Sequence, residues 1–388
     1  MIRTIVTAGA FALFLFTPPV VACTGDLDGD LDVDQSDLGL LLASYEIDAG
    51  GDVDGDGDTD QSDLGLLLAD WGCSLNAGPR LTALAADNRG GFWADFDADL
   101  DLATVTAAAV GIFIAGADGE LGTLDDVSIP GSVRYQAERR QVRFLPDELL
   151  QEDYLLRLRG EGPNAIRGLD GRRLDGEYDG DLPSGDGIEG GAFRAIAHVA
   201  ERTEVVRFDV VVGMIDVLLT PDITPLTVAN FYLYADVGDW DGSFIHRSIA
   251  NFIVQGGGYY YDNGIAHEIP AHDPVPNEFL PGVTTNVRGT ITMAKLGGNP
   301  DSATNQWFFN VVDNSDALDN HNGGYTAFGS VLGSADLATI DAINALDTVN
   351  AGWPFDDLPL LDAWAPIDND NLVLVERVSS LVVVEPAP

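Results

Sequence analysis

The chain has 388 residues, of which 63 are acidic and 19 basic, for a formal net charge of -44. That excess excludes nucleic-acid recognition by an ordinary basic footprint, and it argues against electrostatic docking to an anionic membrane. It does not imply disorder, because 46% of the residues are hydrophobic and the length suits two or three domains with sizeable cores.

Arg3 precedes an almost wholly apolar run, Ile5 to Phe16, which Thr17-Pro18-Pro19 breaks and Val20-Val21-Ala22 follows. Residues 1–22 read as a secretory signal, too short to span a membrane, and no second apolar stretch of membrane length follows. A cut before Cys23 resembles bacterial lipoprotein processing and would place a lipid anchor there. A conventional cut leaves Cys23 free to pair with Cys73, the only other cysteine, in an oxidising compartment. The expected location is the periplasm, the cell surface or the medium.

Residues 23–75 hold a duplicated Asp-rich segment with an offset of 26 residues. GDLDGDLDVDQSDLGLLLASY runs from Gly25 to Tyr45, and GDVDGDGDTDQSDLGLLLADW from Gly51 to Trp71. Asp26, Asp28, Asp30, Asp32, Asp34 and Asp37 stand at positions 1, 3, 5, 7, 9 and 12 of a loop; Asp52, Asp54, Asp56, Asp58, Asp60 and Asp63 repeat them. Calcium takes six to eight hard oxygens from a flexible loop, which this spacing supplies. Gly57 meets the turn at position 6, whereas Leu31 stands there in the first copy. Each loop runs into a helical pattern. Leu38, Leu41, Leu42 and Tyr45 are expected on one buried face, and Leu64, Leu67, Leu68 and Trp71 on the other. With about fifteen acidic groups and no basic one, metal binding is expected to be coupled to folding. The pattern resembles dockerin modules, which bind cohesin modules. A cohesin-like partner is what that resemblance implies, and a freestanding attachment module is the other reading.

Between 78 and 202 the pattern changes to short strands, expected at Phe92–Phe96, Ala109–Ile114, Val133–Tyr135, Val142–Phe144, Tyr154–Leu158 and Phe193–Val199. Gly, Asp and Pro punctuate them, which suits a β-sandwich. VRFLPDELLQEDYLLRLRG and LDGRRLDGEYDGDLPSGDG resemble bacterial Ig-like modules, and the module is expected to space the domains. Asp170, Asp175, Asp179, Asp181 and Asp186 have two readings, a further cation site and a solvated turn region, the second preferred.

Residues 203–388 hold many short apolar runs with glycine turns, and Pro225 to Tyr234 suits a helix. SFIHRSIANFIVQGG, RGTITMA, SATNQWFFNV and GYTAFGSV, with PLTVANF upstream, are similar in order and content to the signatures of the cyclophilin family. The resemblance implies a closed eight-stranded β-barrel with capping helices. It also implies cis-trans isomerisation of X-Pro peptide bonds without a cofactor, calcium being structural and confined to the N-terminal repeat. The whole chain is thus expected to be multidomain: signal, small α-helical calcium module, central sandwich, barrel.

By that resemblance Arg247 donates to the proline nitrogen as the amide twists, and Gln255 holds the substrate backbone and orients Arg247. Phe252 and Phe308 complete the catalytic set, while Ile253, Ala294, Lys295, Gln306, Leu318 and Tyr325 line the groove. Lys295 replaces the usual asparagine, and Tyr325 stands where many members have histidine. Ala317 stands where a large aromatic is usual, which removes a wall and keeps open a non-catalytic protein that binds Pro-containing peptides. The stretches Gly257–Pro276 and Asn344–Asp370 are long, and the second is acidic. Pro-containing exported polypeptides are the expected clients; the oligomeric state is left open.

Overall fold

A computed structural model describes residues 23–29, 33–71 and 78–387. The residues 1–22, Asp30, Leu31, Asp32 and Cys73 of the sequence reading lie outside them. Among the described residues no helix is long and apolar enough to cross a membrane. The chain divides into two units: one extends up to Gly78 and includes Asp186–Glu189, the other comprises 79–185 and 190–388.

The first unit is built on helices α1 (Gln35–Ser44) and α2 (Gln61–Ala69), which keep the 26-residue offset. Asp34 and Asp60 cap them by accepting from the backbone N–H of Ser36 and Ser62. Asp37 and Asp63, buried at the third helical position, accept from the loop that precedes them. Asp37 takes the N–H of Leu27 at 2.6 Å and of Asp34 at 2.8 Å; Asp63 takes those of Val53 and Asp60, both at 2.7 Å. The two copies interlock. A Cβ at Gly25 would stand 3.1 Å from the Cα of Leu67, and one at Gly51 would stand 2.8 Å from the Cα of Leu41. Each loop therefore packs on the other copy's helix, around Val33, Leu41 and Leu67. The expected helix faces are narrower than the sequence suggests. Leu42, Leu68 and Trp71 are half exposed, because two short helices can bury only the residues that face each other. Cys23 is buried and disulfide-bonded.

In the second unit a four-stranded antiparallel sheet, in the order 81–86, 92–96, 141–146, 131–136, faces the strands 127–129, 110–114 and 154–158 and the start of Phe193–Val210. Phe92, Phe96, Val142 and Phe144 on one side meet Ile112, Tyr154, Leu156 and Ala195 on the other in one core. Strand Phe193–Val210 then continues through the expected boundary at 202/203. Its alternation shifts phase about an exposed middle, so Val206, Phe208 and Val210 enter a second core. The last strand, Leu374–Pro386, pairs with it along both halves, with register shifts near Ser380–Val383.

That second core joins Phe208, Phe231, Trp240, Trp307, Phe309 and Phe328, with ring centroids as close as 4.7 Å. Helix α3 (Pro225–Ala235) buries Val228, Phe231 and Tyr234 in it. The strand order there runs 247–249, 253–256, 307–310, 290–293, 327–331, 213–219, 193–210, 374–386 and on to 243–244, 259–262 and 265–268. The path is open among the described residues, where a closed eight-stranded barrel was expected. Strand 243–244 pairs with 259–262 and 374–386 and strand 247–249 with 253–256; Ile245 and His246 join the two, donating to the carbonyls of Val373 and Gln255, so the regular ladder is interrupted there although the segment spans both ends of the path.

Candidate active site

The site forms on the edge hairpin 247–249 and 253–256. Asn251, at φ 56°, turns the chain between the two strands, a conformation that asparagine tolerates better than most residues. Register then sets Arg247 opposite Gln255, and Gln255 opposite Phe308 on the next strand. Gly256 is small because the Trp307 ring lies where a Cβ would go, at 2.6 Å.

Three side chains make a polar relay across these strands. Arg247 Nη1 donates to Gln255 Oε1 at 3.3 Å, and Gln255 Nε2 donates to Gln306 Oε1 at 2.9 Å. Beneath it, His246 is buried beside the Gln306 side chain; burial and the neighbouring Arg247 push its ring down to about 3, so it is neutral at physiological pH. Arg247 is about 39% exposed, and its Nε stands 3.8 Å from the Asp357 carboxylate. A pair that loose and wet leaves the guanidinium available.

Beside the relay lies an apolar floor. Ile253, Phe308 and Leu318 are buried together, and Phe252, Ala294 and Tyr325 pack around them. Phe308 and Tyr325 meet edge-on at 6.1 Å. Leu318 ends the short helix α4 (Ser315–Leu318), and Ala317 beside it is exposed. Lys295 Nζ donates to the carbonyls of Asn322 at 3.1 Å and Gly324 at 2.5 Å and lies 4.7 Å from the centre of the Tyr325 ring. Partial burial pushes its ammonium down to about 8, against the opposing effect of Asp301.

All ten residues singled out in this domain by the sequence reading thus converge on one face. Asn310 reads in the sequence as a support for loops, but its partners there could not be named. Asn310 Nδ2 donates to the oxygens of Asn286, Thr290 and Thr292, and its own oxygen accepts from Asn314 at 2.8 Å. Asn314 also donates to the carbonyl of Phe252 at 2.8 Å, and Asn286 to that of Tyr325 at 2.9 Å. A satisfied buried amide network therefore fixes both walls of the floor from within. The asparagines stand in plain view in the sequence, but nothing local there ties them to one another.

Chemically, the arrangement sets one cationic donor above an apolar hollow, with no nucleophile and base paired at its centre. That suits binding of an apolar ring with a polar atom at its edge. The model of the family "Cyclophilin type peptidyl-prolyl cis-trans isomerase/CLD" matches residues 205–364. The peptidyl-prolyl cis-trans isomerase A of Dickeya dadantii (strain 3937) is 38% identical over 149 residues, covering 38% of this chain and 74% of that protein. A peptidyl-prolyl cis-trans isomerase of Acinetobacter baylyi is 34% identical over 157 residues, 40% of this chain and 79% of that protein. The peptidyl-prolyl cis-trans isomerase B of Escherichia coli (strain K12) is 37% identical over 137 residues, 34% of this chain and 78% of that protein. The chain belongs to the cyclophilin-type peptidyl-prolyl cis-trans isomerases.

Proposed function

We propose that the chain isomerises X-Pro bonds of exported polypeptides at the Arg247 face and is itself exported. The obstacle in the reaction is the partial double bond of the amide, about 18–20 kcal/mol. Twisting relieves conjugation and leaves a lone pair on the proline nitrogen. Arg247 donates to that lone pair, an interaction absent from the planar ground state and therefore catalytic in effect. Gln255, braced by Gln306, holds both the guanidinium and the client backbone. Phe252, Ile253, Phe308 and Leu318 take the proline ring, and Ala294, Lys295 and Tyr325 line the run of the groove beyond it. The exposed Ala317 leaves one side of that hollow open, which favours loose, broad client recognition.

The observation that carries this reading is the Arg247–Gln255–Gln306 relay standing over the buried Phe308 floor. In a coupled X-Pro peptide assay, Arg247→Ala should lower kcat/KM by roughly 10²–10³, the range for losing one donor that acts in the transition state. A variant within threefold of the parent would defeat the assignment.

Export is supported by the apolar run before Cys23 and by the disulfide at Cys23, a bond that suits an oxidising compartment. A sulfur held in a disulfide is not free to carry a lipid thioether, so we favour the unanchored form. Calcium in the N-terminal unit is supported by carboxylate oxygens that lie within 4.8 Å of one another in two equivalent places, Asp26, Asp28 and Asp37 and again Asp52, Asp54 and Asp63; a further group joins Asp58, Asp60 and Asp63. Burial and neighbouring carboxylates raise Asp54, and Asp56 above all raises Asp58, repulsions that a dication would relieve. Asp34 and Asp60 also serve as helix caps, so a bound ion would draw the helix starts into its shell. Whether a cohesin-like protein grips this unit is a separate proposal, for which the half-exposed Leu42, Leu68 and Trp71 offer a surface. Calorimetric titration should find about two calcium sites, and no heat at millimolar calcium would defeat the metal reading.

A further inference from the structure

The two long stretches, 257–276 and 344–370, meet outside the core of the isomerase domain. Tyr261 Oη donates to the carbonyl of Ile367 at 2.8 Å, and the rings of Tyr259 and Phe355 stand 4.9 Å apart. Between them is a cavity of about 210 Å³, lined among others by Phe244, Tyr261, Ala266, Ala351, Phe355 and Leu358. That is room for about seven waters at ~30 Å³ each, but a water needs two or more polar partners, and this lining supplies almost none. The hollow therefore suits an apolar side chain better than solvent.

Its position ties it to the reaction. Phe244 lies three residues before Arg247. Asp357, between the lining residues Phe355 and Leu358, accepts the Ser248 N–H on its carbonyl at 2.9 Å and brings its carboxylate to 3.8 Å from Arg247. Apart from Arg247 at this edge, the charge that the two stretches supply is acidic. Asp347, Asp356, Asp362, Asp368 and Asp370 are exposed, and neither stretch contains a lysine or arginine. Trp353 and Trp364 are 86% and 95% exposed in the same segment, indole faces on which a cationic side chain can rest.

We propose that this cavity is a client-anchoring subsite, taking one large apolar side chain of a polypeptide whose neighbouring residues are Lys or Arg, alongside the X-Pro bond held at Arg247. The role in clients rests on the isomerase reading. Binding itself is testable without it, using the full chain and a fluorescein-labelled, proline-free peptide with Leu-Leu between two pairs of lysines. Anisotropy should show binding that weakens at least tenfold when the leucines become serines, when the lysines become glutamates, or when Ala351→Trp fills the hollow from its exposed rim. It should also weaken with added salt. The doubly charge-reversed Asp356→Lys/Asp362→Lys protein, altered only at exposed positions, should lose the lysine peptide and gain the glutamate one. In turnover, an X-Pro peptide extended by the anchor should exceed the short peptide about tenfold in kcat/KM. That ratio should fall to near one in Ala351→Trp, with the short peptide's rate unchanged. Equal binding of the serine peptide, or binding indifferent to Ala351→Trp and to charge reversal, overturns the subsite and leaves the isomerase reading intact. Binding as expected with no turnover of any X-Pro peptide sinks the isomerase reading instead, and the client role with it.

Discussion

Lys295, the only lysine of the chain, shows how one side chain can join two loops and a titration. Its ammonium donates to two carbonyls, those of Asn322 and Gly324, and its charge faces the Tyr325 ring, so it pins the loop that carries one wall of the groove. Replacing it by methionine should raise KM severalfold with kcat little changed; an unchanged KM would show that the loop holds itself. The same residue carries a pH signature. Its folded value is pushed down to about 8, below the ordinary 10.5, so the fold disfavours the charged form. The penalty is fully present below pH 8. It is relieved as pH rises from 8 towards 10.5, where the unfolded chain still holds the proton and the folded chain does not. Between pH 7 and 9.5, stability measured by urea unfolding should rise relative to Lys295→Met. Tyrosines that burial pushes above 10, such as Tyr154 and Tyr259, act in the opposite direction at higher pH and set the upper end of that window. His246, held at about 3 against its ordinary 6.5, favours the fold above pH 6.5, and that contribution is lost as pH falls from 6.5 towards 3.

At the scale of elements, the N-terminal unit depends on close approach rather than on core volume. Among its described residues only Val33, Leu41, Leu67 and Cys23 are buried apolar ones, too little to hold two short helices alone. Gly51 lies where a side chain would meet both the Leu41 backbone and the Thr59 methyl at under 3 Å. Gly51→Val should therefore separate loop from helix and cost about 1–3 kcal/mol, which on the proposed calcium reading raises the calcium needed for the far-UV helical signal. A calcium midpoint equal to the parent's would show that the loops do not interlock in solution. Much of this was legible beforehand, since the duplication and both helices follow from spacing alone. The extent of each helix face was not. Periodicity marked Leu42, Leu68 and Trp71 as core, but a helix of nine or ten residues with one partner can bury only a single stripe. The isomerase domain behaved likewise. Its five motifs located the Arg247 hairpin and the Phe308 floor, because those residues act at short range. Asn310 and Asn314 lie just past Phe308, but Asn286 and Asp357 come from segments 39 and 110 residues beyond Arg247, brought beside them by strand order that no local pattern encodes.

The whole molecule answers a question that composition raised and left open, namely where so few cations go in so acidic a chain. Of 18 arginines, six (Arg89, Arg134, Arg143, Arg202, Arg207 and Arg377) gather in the second unit where its two cores adjoin. Arg377, on the last strand, pairs in bidentate fashion with the fully buried Asp87 at 2.6 and 3.0 Å, while Asp87 also takes the N–H groups of Arg89 and Gly91. Arg89 forks onto Asp241 at 2.8 and 3.0 Å, and Arg143 bonds Asp209, which accepts as well from the Trp93 indole. Two strands already run unbroken through both cores, so the sequence boundary at 202/203 is not a hinge but the middle of a sheet. Burial alone would push the Asp87 carboxyl up, yet Arg377 more than offsets it and holds the group below the usual carboxylate range. Its contribution is present above about pH 4 and is lost as pH falls through the depressed folded value. Asp87→Asn keeps the turn's acceptor oxygen but strands a buried guanidinium, and should cost about 3–5 kcal/mol. Because the loss falls on the seam, it should lower a single calorimetric transition shared by residues 79–185 and 190–387. Two separable transitions, with only the sandwich-side one displaced, would mean that the continuous strands do not couple the cores. If they do couple them, the Arg247 site stands on a platform twice the size of the isomerase fold, and a substitution at Asp87 should reduce isomerase activity at elevated temperature in step with that transition.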